Sequence, residues 1–186
     1  TIADPYADKN GVIPYPDENG KTLTDGKVAY SATNYSDAAF VGFNRQADEY
    51  KANGYAYIIV ELGDTYDMNR FVGYVSSTAN GNKAAGILPP ESMTVCGSND
   101  GRLWTDIGTV KITDDSTKNC ISATLTVNTP ATYKYVQFRF KAPEGYNWLM
   151  IAEVEAHGTK SATVDPEPTP DPTPDPEPTP DPTPDP

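Results

Sequence analysis

From Asp165 to Pro186 every second residue is proline, in the run DPEPTPDPTPDPEPTPDPTPDP. Proline has no N–H to donate and its φ is fixed, so this run is barred from helices and from regular sheet ladders. An extended polyproline-like rod rising about 3.1 Å per residue is expected instead. The run carries seven carboxylates and no base, so of the net charge of −12 a share of −7 belongs to it and −5 to the rest. The chain is thus divided by composition into a folding unit, residues 1–160, and a Pro/Thr/Asp/Glu linker, residues 161–186.

The folding unit has the length of one domain with a sizeable core. Its negative charge excludes a nucleic-acid surface, which needs Lys and Arg to neutralise phosphates. Apolar runs such as YIIV are far too short to cross a bilayer, so no membrane insertion is expected. The first residues, TIADPYADKNG, lack the basic and apolar regions of a signal peptide. The expectation is a mature or excised piece of a longer exported chain, monomeric, and joined by the linker to neighbouring modules.

Apolar and polar residues alternate in short runs, the mark of half-buried strands. Tyr55–Leu62 puts Ile58, Val60 and Leu62 on one face, and Tyr133–Phe140 does the same with Val136, Phe138 and Phe140. Ile121–Val127 alternates similarly. Phe71–Ser76, Met93–Gly97, Thr105–Val110 and Met150–His157 are further strand candidates. A turn or two of helix is expected at most, within AAFVGFNRQADEYK, Ala38–Lys51. Long polar loops, Ser76–Pro90 and Lys111–Asn119, separate the strands, and such loops at the end of a strand scaffold are where binding sits.

SNDGRLW, Ser98–Trp104, has the look of a calcium loop. With Gly101 as sixth residue of an EF-hand loop, Cys96, Ser98 and Ile107 fall where acids are required. A hairpin turn fits better, because Asn99, Asp100 and Gly101 tolerate positive φ. Trp104 would then open the return strand and cover the end of the core.

Several segments, in order, resemble the discoidin domain, also called the coagulation factor V/VIII type C domain, whose bacterial branch includes carbohydrate-binding module family 32. They are YPDENGKTLTDGK (Tyr15–Lys27), IIVELGDTYDMNRFVGYVSS (Ile58–Ser77) and MTVCGSNDGRLWTDIGTV (Met93–Val110), followed by YKYVQFRF and LMIAEVEAHG. The resemblance implies an all-β fold: a galactose-binding-like jelly-roll sandwich of about eight strands, with ligand loops at one end and a structural calcium ion.

For that ion LTDG is the candidate. Asp25, beside flexible Gly26, offers a carboxylate and a backbone oxygen of the kind calcium takes. The family pattern adds Glu153 of the last strand, with carbonyls near Leu23 and Lys27. An Asx-turn at Asp25 and a solvent-facing Glu153 is the alternative. Cys96 and Cys120 suit one disulfide in an exported protein, against the alternative of two buried thiols.

Catalysis finds little support. The single histidine, His157, rules out a multi-histidine zinc site, and no nucleophile elbow, HExxH or phosphate loop is present. Binding finds more. Tyr is abundant, 12 against 5 Phe and 2 Trp, and aromatic faces edged by polar groups suit sugars, which present C–H faces and hydroxyl rims. The loop aromatics Tyr30, Tyr35, Tyr146 and Trp148 are the candidate platforms, with Asn34, Arg45, Asn80 and Asn147 as hydrogen-bonding partners. Phe40 stands where the family it resembles often has a Trp that packs inside, so it is not assigned to the site. The resulting reading is a non-catalytic, secreted or cell-surface bacterial module for polysaccharide or other glycan, with a protein-binding adhesion or spacer module as the alternative.

Overall fold

A computed structural model of the chain describes residues 2–3, 10–31, 33–145 and 147–162. The proline run lies outside these residues, as does the candidate Tyr146. The strands are β1 (Ile2–Ala3), β2 (Val41–Asn44), β3 (Ala56–Ser76), β4 (Ser92–Ser98), β5 (Thr105–Lys111), β6 (Cys120–Lys141) and β7 (Trp148–Lys160). One short helix, α1 (Asp48–Asn53), and three 3₁₀ turns, at Glu18–Gly20, Thr22–Thr24 and Ala29–Ser31, complete the elements.

Every strand pairing is antiparallel. The order is β2-β7-β3-β6-β4-β5, with β1 joined to β3. Two strands are too long to lie in one layer: β3 has 21 residues and β6 has 22. Their shared register breaks between Glu61 and Tyr66, where Gly63 adopts φ 78°. Before the break, Ala56–Glu61 pair with Tyr135–Phe140, and after it Tyr66–Ser76 pair with the earlier part of β6. β4 continues the first pairing and β7 the second. The bend therefore makes two layers. The front layer holds β1, the first half of β3, the second half of β6, β4 and β5. The back layer holds β2, β7, the second half of β3 and the first half of β6.

The layers meet face to face. Phe71 of the back layer lies 6.5 Å from Phe138 of the front layer, ring to ring. At Gly73 a Cβ would fall 2.7 Å from Met93 Sδ and 2.9 Å from the Phe140 ring, so the absent side chain lets the layers approach. Ile58, Val75, Val95, Val136, Leu149 and Ile151 fill the rest of this core. Each such side chain contributes about 1.5–3 kcal/mol on burial.

The expected strands are present, with two differences. Tyr55–Leu62 and Phe71–Ser76 are halves of one strand, as are Ile121–Val127 and Tyr133–Phe140. Within Ala38–Lys51 the expected turn or two of helix is present from Asp48, but Val41–Asn44 is a strand that the sequence did not mark. All four residues of β2 are buried, which removes the alternation that would have marked it. Gly54, at φ 77°, stops the helix with its N–H on the Tyr50 carbonyl.

SNDG is a turn, built by side chains more than by positive φ. Among its residues only Gly101 has one, at 72°. Ser98 Oγ accepts the Gly101 N–H at 2.9 Å, and Asp100 Oδ1 accepts those of Arg102 and Leu103 at 2.8 and 2.9 Å. Trp104 does not cover the core as expected. It is half-buried and precedes β5, while its neighbour Leu103 is 79% exposed.

The expected disulfide is not formed: Cys96 and Cys120 are both free and buried. Cys96 lies on the outer face of the front layer, its Sγ 3.1 Å from Asp106 Oδ1. Cys120 sits behind the back layer with Ala29, Phe40 and Met150. Packed sheets lie about 10 Å apart, and a disulfide needs Cα atoms within about 7 Å. Opposite outer faces of a sandwich cannot meet that demand.

Candidate functional site

The back layer sends several loops out from one end. Ser76 pairs with Cys120 and Asn44 with Trp148, so residues 77–90, 112–119, 45–47 and, before Trp148, Asn147 all leave or arrive there. A polar frame ties the first two. Ser77 donates its N–H to the Asn119 carbonyl at 3.1 Å and its Oγ–H to the Lys118 carbonyl. Asn82, fully buried, donates to the Ser77 carbonyl at 2.9 Å and accepts the Tyr35 N–H at 3.0 Å. That second bond fixes an early loop against a middle one.

Beside the frame stands an aromatic wall. Tyr15 meets Trp148 edge-on at 5.5 Å and Tyr35 at 6.2 Å. It is seated on Gly42, where a Cβ would fall 2.7 Å from its ring, and its carbonyl accepts the Gly42 N–H at 3.0 Å. Burial, then the neighbouring Tyr35, raises the Tyr15 hydroxyl above its ordinary pKa. Next to Trp148, Arg45 donates its N–H to the Asn147 carbonyl at 2.7 Å, and Gln46 Nε2 reaches Asn147 Oδ1 at 3.2 Å.

The structure thus gathers most of the sequence candidates. Tyr35 and Trp148 share the wall, and Arg45 and Asn147 share a corner one residue from it. Asn80, at φ 52°, reaches Asn119 Oδ1 at 3.5 Å and belongs to the frame. Asn34 is turned toward its own loop, accepting from Ser36 N and Oγ at 2.8 and 2.6 Å. Tyr30 stands apart, 59% exposed, with its ring 5.9 Å from Tyr74 at 89°. Burial and the adjacent Glu155 and Tyr30 push the Tyr74 hydroxyl up to about 12. Phe40 packs inside, 2% exposed. Tyr15, Asn82 and Tyr74 were not marked as site residues by the sequence. Tyr15 lay within the YPDENG motif, whereas a buried Asn in a polar loop carries no local sign.

The Thr22–Thr24 turn buries Leu23 in the core and delivers Asp25 and Gly26 to β7. There the ladder to β3 slips by one residue, between Tyr74–Glu153 and Val75–Ile151. Such a bulge re-aims side chains, and it leaves Glu153 facing the turn: Gly26 donates its N–H to Glu153 Oε2 at 3.3 Å. Glu153 is 3% exposed. Burial, then the charges of Asp25 and Glu155, push its carboxyl up to about 7, against the pull of the Gly26 N–H. Asp25 accepts from Lys27 N and Nζ, both at 2.9 Å, and Lys27 holds it below the usual carboxylate range. The donors are hard oxygens around a buried carboxylate that lacks a countercharge, and they fit a calcium-type cation. Among the described residues no three acidic, His or Cys side chains cluster, so such an ion would draw on backbone carbonyls.

A two-layer antiparallel sandwich with its loops gathered at one end defines the galactose-binding-like class of β-sandwich modules. The F5/8 type C domain matches residues 20–154, and the chain belongs to that family. Its fold is shared with the C-terminal domain of a chitobiase from Bacteroides fragilis (TM-score 0.51, 19% identity, covering 76% of this chain and 81% of that one). CBM32-3 from a family 31 glycoside hydrolase of Clostridium perfringens is similar too (0.52, 16%, covering 86% and 89%). So is a fucolectin from striped bass, Morone saxatilis, serum (0.53, 15%, covering 77% and 43%). At these identities the likeness is one of fold. No curated protein matches the chain. Among the described residues no helix is long and apolar enough to cross a membrane.

Proposed function

We propose that the chain is a non-catalytic carbohydrate-binding module that tethers a larger, exported bacterial protein to glycan. The observation that carries this reading is the juxtaposition of the Tyr15–Tyr35–Trp148 wall with the Arg45–Asn147 corner at the loop end. Aromatic edges supply apolar contact, and amide and guanidinium groups supply directed hydrogen bonds, the pairing a sugar ring requires. Arg45 strengthens it: among the described residues its guanidinium makes no hydrogen bond or ion pair, and an Arg fork is built to engage neighbouring oxygens. Family membership and the named likenesses to a carbohydrate-binding module and a lectin support the same reading.

The module comprises residues 1–160 in this proposal, and residues 161–186 are its linker. Binding of millimolar to micromolar strength, about −4 to −8 kcal/mol, suffices for targeting, because linked modules add avidity. A structural calcium ion would be held by Glu153 and Asp25 with carbonyls of Leu23 and Lys27, stiffening the early segment against β7. It takes no part in a reaction.

Affinity electrophoresis through gels of neutral and acidic polysaccharides, followed by a glycan array, tests the reading. Retardation by at least one glycan is expected, with a loss of about tenfold or more in Trp148→Ala and Arg45→Ala. Failure to bind any glycan would instead favour a protein-binding or spacer role.

A further inference from the structure

The loop end is not the only surface where aromatic and polar groups are set out together. On the outer face of the back layer, Tyr74, Val72 and Arg70 of β3 alternate with the inward Phe71 and Gly73. Arg70 pairs with His157 of β7 and Thr126 of β6, and Val72 pairs with Glu155 and Thr124. Thr124, Thr126, Arg70 and His157 are exposed. A continuous row results. Tyr30 stands over Tyr74, Tyr74 adjoins Glu155, Glu155 Oε2 meets His157 Nε2 at 2.7 Å, and His157 Nε2 meets Arg70 Nη1 at 3.1 Å.

The last two contacts conflict. One nitrogen, His157 Nε2, faces an acceptor and a donor together. If it carries hydrogen it donates to Glu155 and cannot accept from Arg70. If it does not, it accepts from Arg70 and leaves Glu155 with the Tyr74 hydroxyl alone. In either form one of the two charged groups loses its bond to that nitrogen and keeps capacity there for a ligand hydroxyl. The charges of Arg70 and Glu155 cancel, so the row selects for a neutral ligand with both hydroxyl donors and acceptors. From Arg70 to Tyr74 it runs about 13 Å along the strand, with the Tyr30 ring beyond. That length suits several sugar units laid end to end, not a single ring.

We propose that this row is a second glycan-contact surface, which receives a neutral, unbranched oligosaccharide stretch running from the loop end over Tyr30 and down the sheet to Arg70 and His157. The proposal rests on the glycan-binding reading above and sharpens it. The module grips the interior of a chain, with the loop end as one subsite and the sheet face as its extension. Tyr30 joins the two, which accounts for an exposed aromatic that stands apart from the Tyr15 wall.

The test is calorimetric titration of the full chain with neutral ladders, from monomer to hexamer, of cello-, xylo-, galacto- and chito-oligosaccharides. Affinity for one series is expected to climb by at least tenfold between dimer and tetramer. Arg70→Ala and His157→Ala are expected to lose about fivefold or more against the tetramer and nothing against the dimer, with unchanged thermal midpoints. Amide resonances of Thr124, Thr126 and His157 in the unmodified chain should shift with tetramer and stay still with monomer, which keeps the test independent of any variant's folding. Equal affinity at every length, unaltered tetramer binding by both variants, or unmoved Thr124 and Thr126 resonances would overturn the extended surface while leaving the loop-end site intact. Absence of binding to every ladder and every polysaccharide gel would overturn both.

Discussion

The molecule has two apolar assemblies of different origin, one between the layers and one behind the back layer. The first is made mainly by strands: Phe71, Phe138, Phe140, Val95 and Ile58 reach it because every second residue of a strand points the same way, with Leu23 and Tyr50 closing its ends. The second gathers Ala29, Phe40, Ile87, Cys120, Met150 and Ala152 from segments scattered along the chain, with Tyr15, Tyr35 and Trp148 packed against it. Asn82 adds polar ties to its edge, accepting the Tyr35 N–H and donating to the Ser77 carbonyl. The contrast teaches that here the fold and the candidate site are stabilised by different chemistry. One side of the molecule is therefore expected to tolerate change that would unfold the other.

The sharpest way to break this contrast is to empty the inner core. Phe138→Ala should cost about 3–5 kcal/mol in urea-induced unfolding. A loss below 1 kcal/mol would mean that the layers are not held by this core.

The second test concerns Glu153, at the edge of the outer assembly. Its folded pKa, about 7, lies above its ordinary value of 4.5. A raised pKa stabilises the protonated folded form, so the contribution is fully present below about pH 4.5 and is lost as pH rises through about 7. In chelator, stability should therefore fall across that window by on the order of 3 kcal/mol. Added calcium, if held as proposed, should reverse the fall near pH 7.5 and raise the melting temperature. Glu153→Gln should flatten the pH slope and abolish the calcium response, and a variant that kept both would remove this carboxylate from the site.

Asn82→Ala should come next, at about 1–3 kcal/mol, because it leaves the part-buried Tyr35 N–H and the buried Ser77 carbonyl without that partner. Loss of glycan affinity beyond the loss of stability would show that the frame positions the wall. Asp100→Ala should cost about 1 kcal/mol and leave glycan affinity unchanged, since Asp100 serves only the SNDG turn. A drop in affinity there would return that loop to consideration as a site.

What the sequence made legible divides along the same line. Alternation in Tyr55–Leu62 and Tyr133–Phe140 exposed the inner core directly. β2 escaped because burial on both faces erased its alternation, and the bends of β3 and β6 escaped because a corner preserves local pattern on either side. The outer assembly was only partly visible. Tyr35 and Trp148 stood out as loop aromatics, yet their meeting through Tyr15 depends on contacts between distant loops and on the bare surface of Gly42. The cysteines show the limit most plainly: two residues on strands of one sheet lie on opposite outer faces once that sheet doubles back. Composition had no means of reporting this.

The bend in β3 bears on mechanics as well as on shape. Where β7 ends, Ser161 donates its N–H to the Thr65 carbonyl at the corner, at 3.0 Å, and its hydroxyl to Asp67 at 2.8 Å. A pull on the chain through residue 162, directed along β7, meets first this clasp and then the β7–β3 ladder, which runs from Ile151 to Lys160. The force loads those bonds together in shear instead of peeling them one at a time. Because β3 also belongs to the front layer, such tension passes into both sheets.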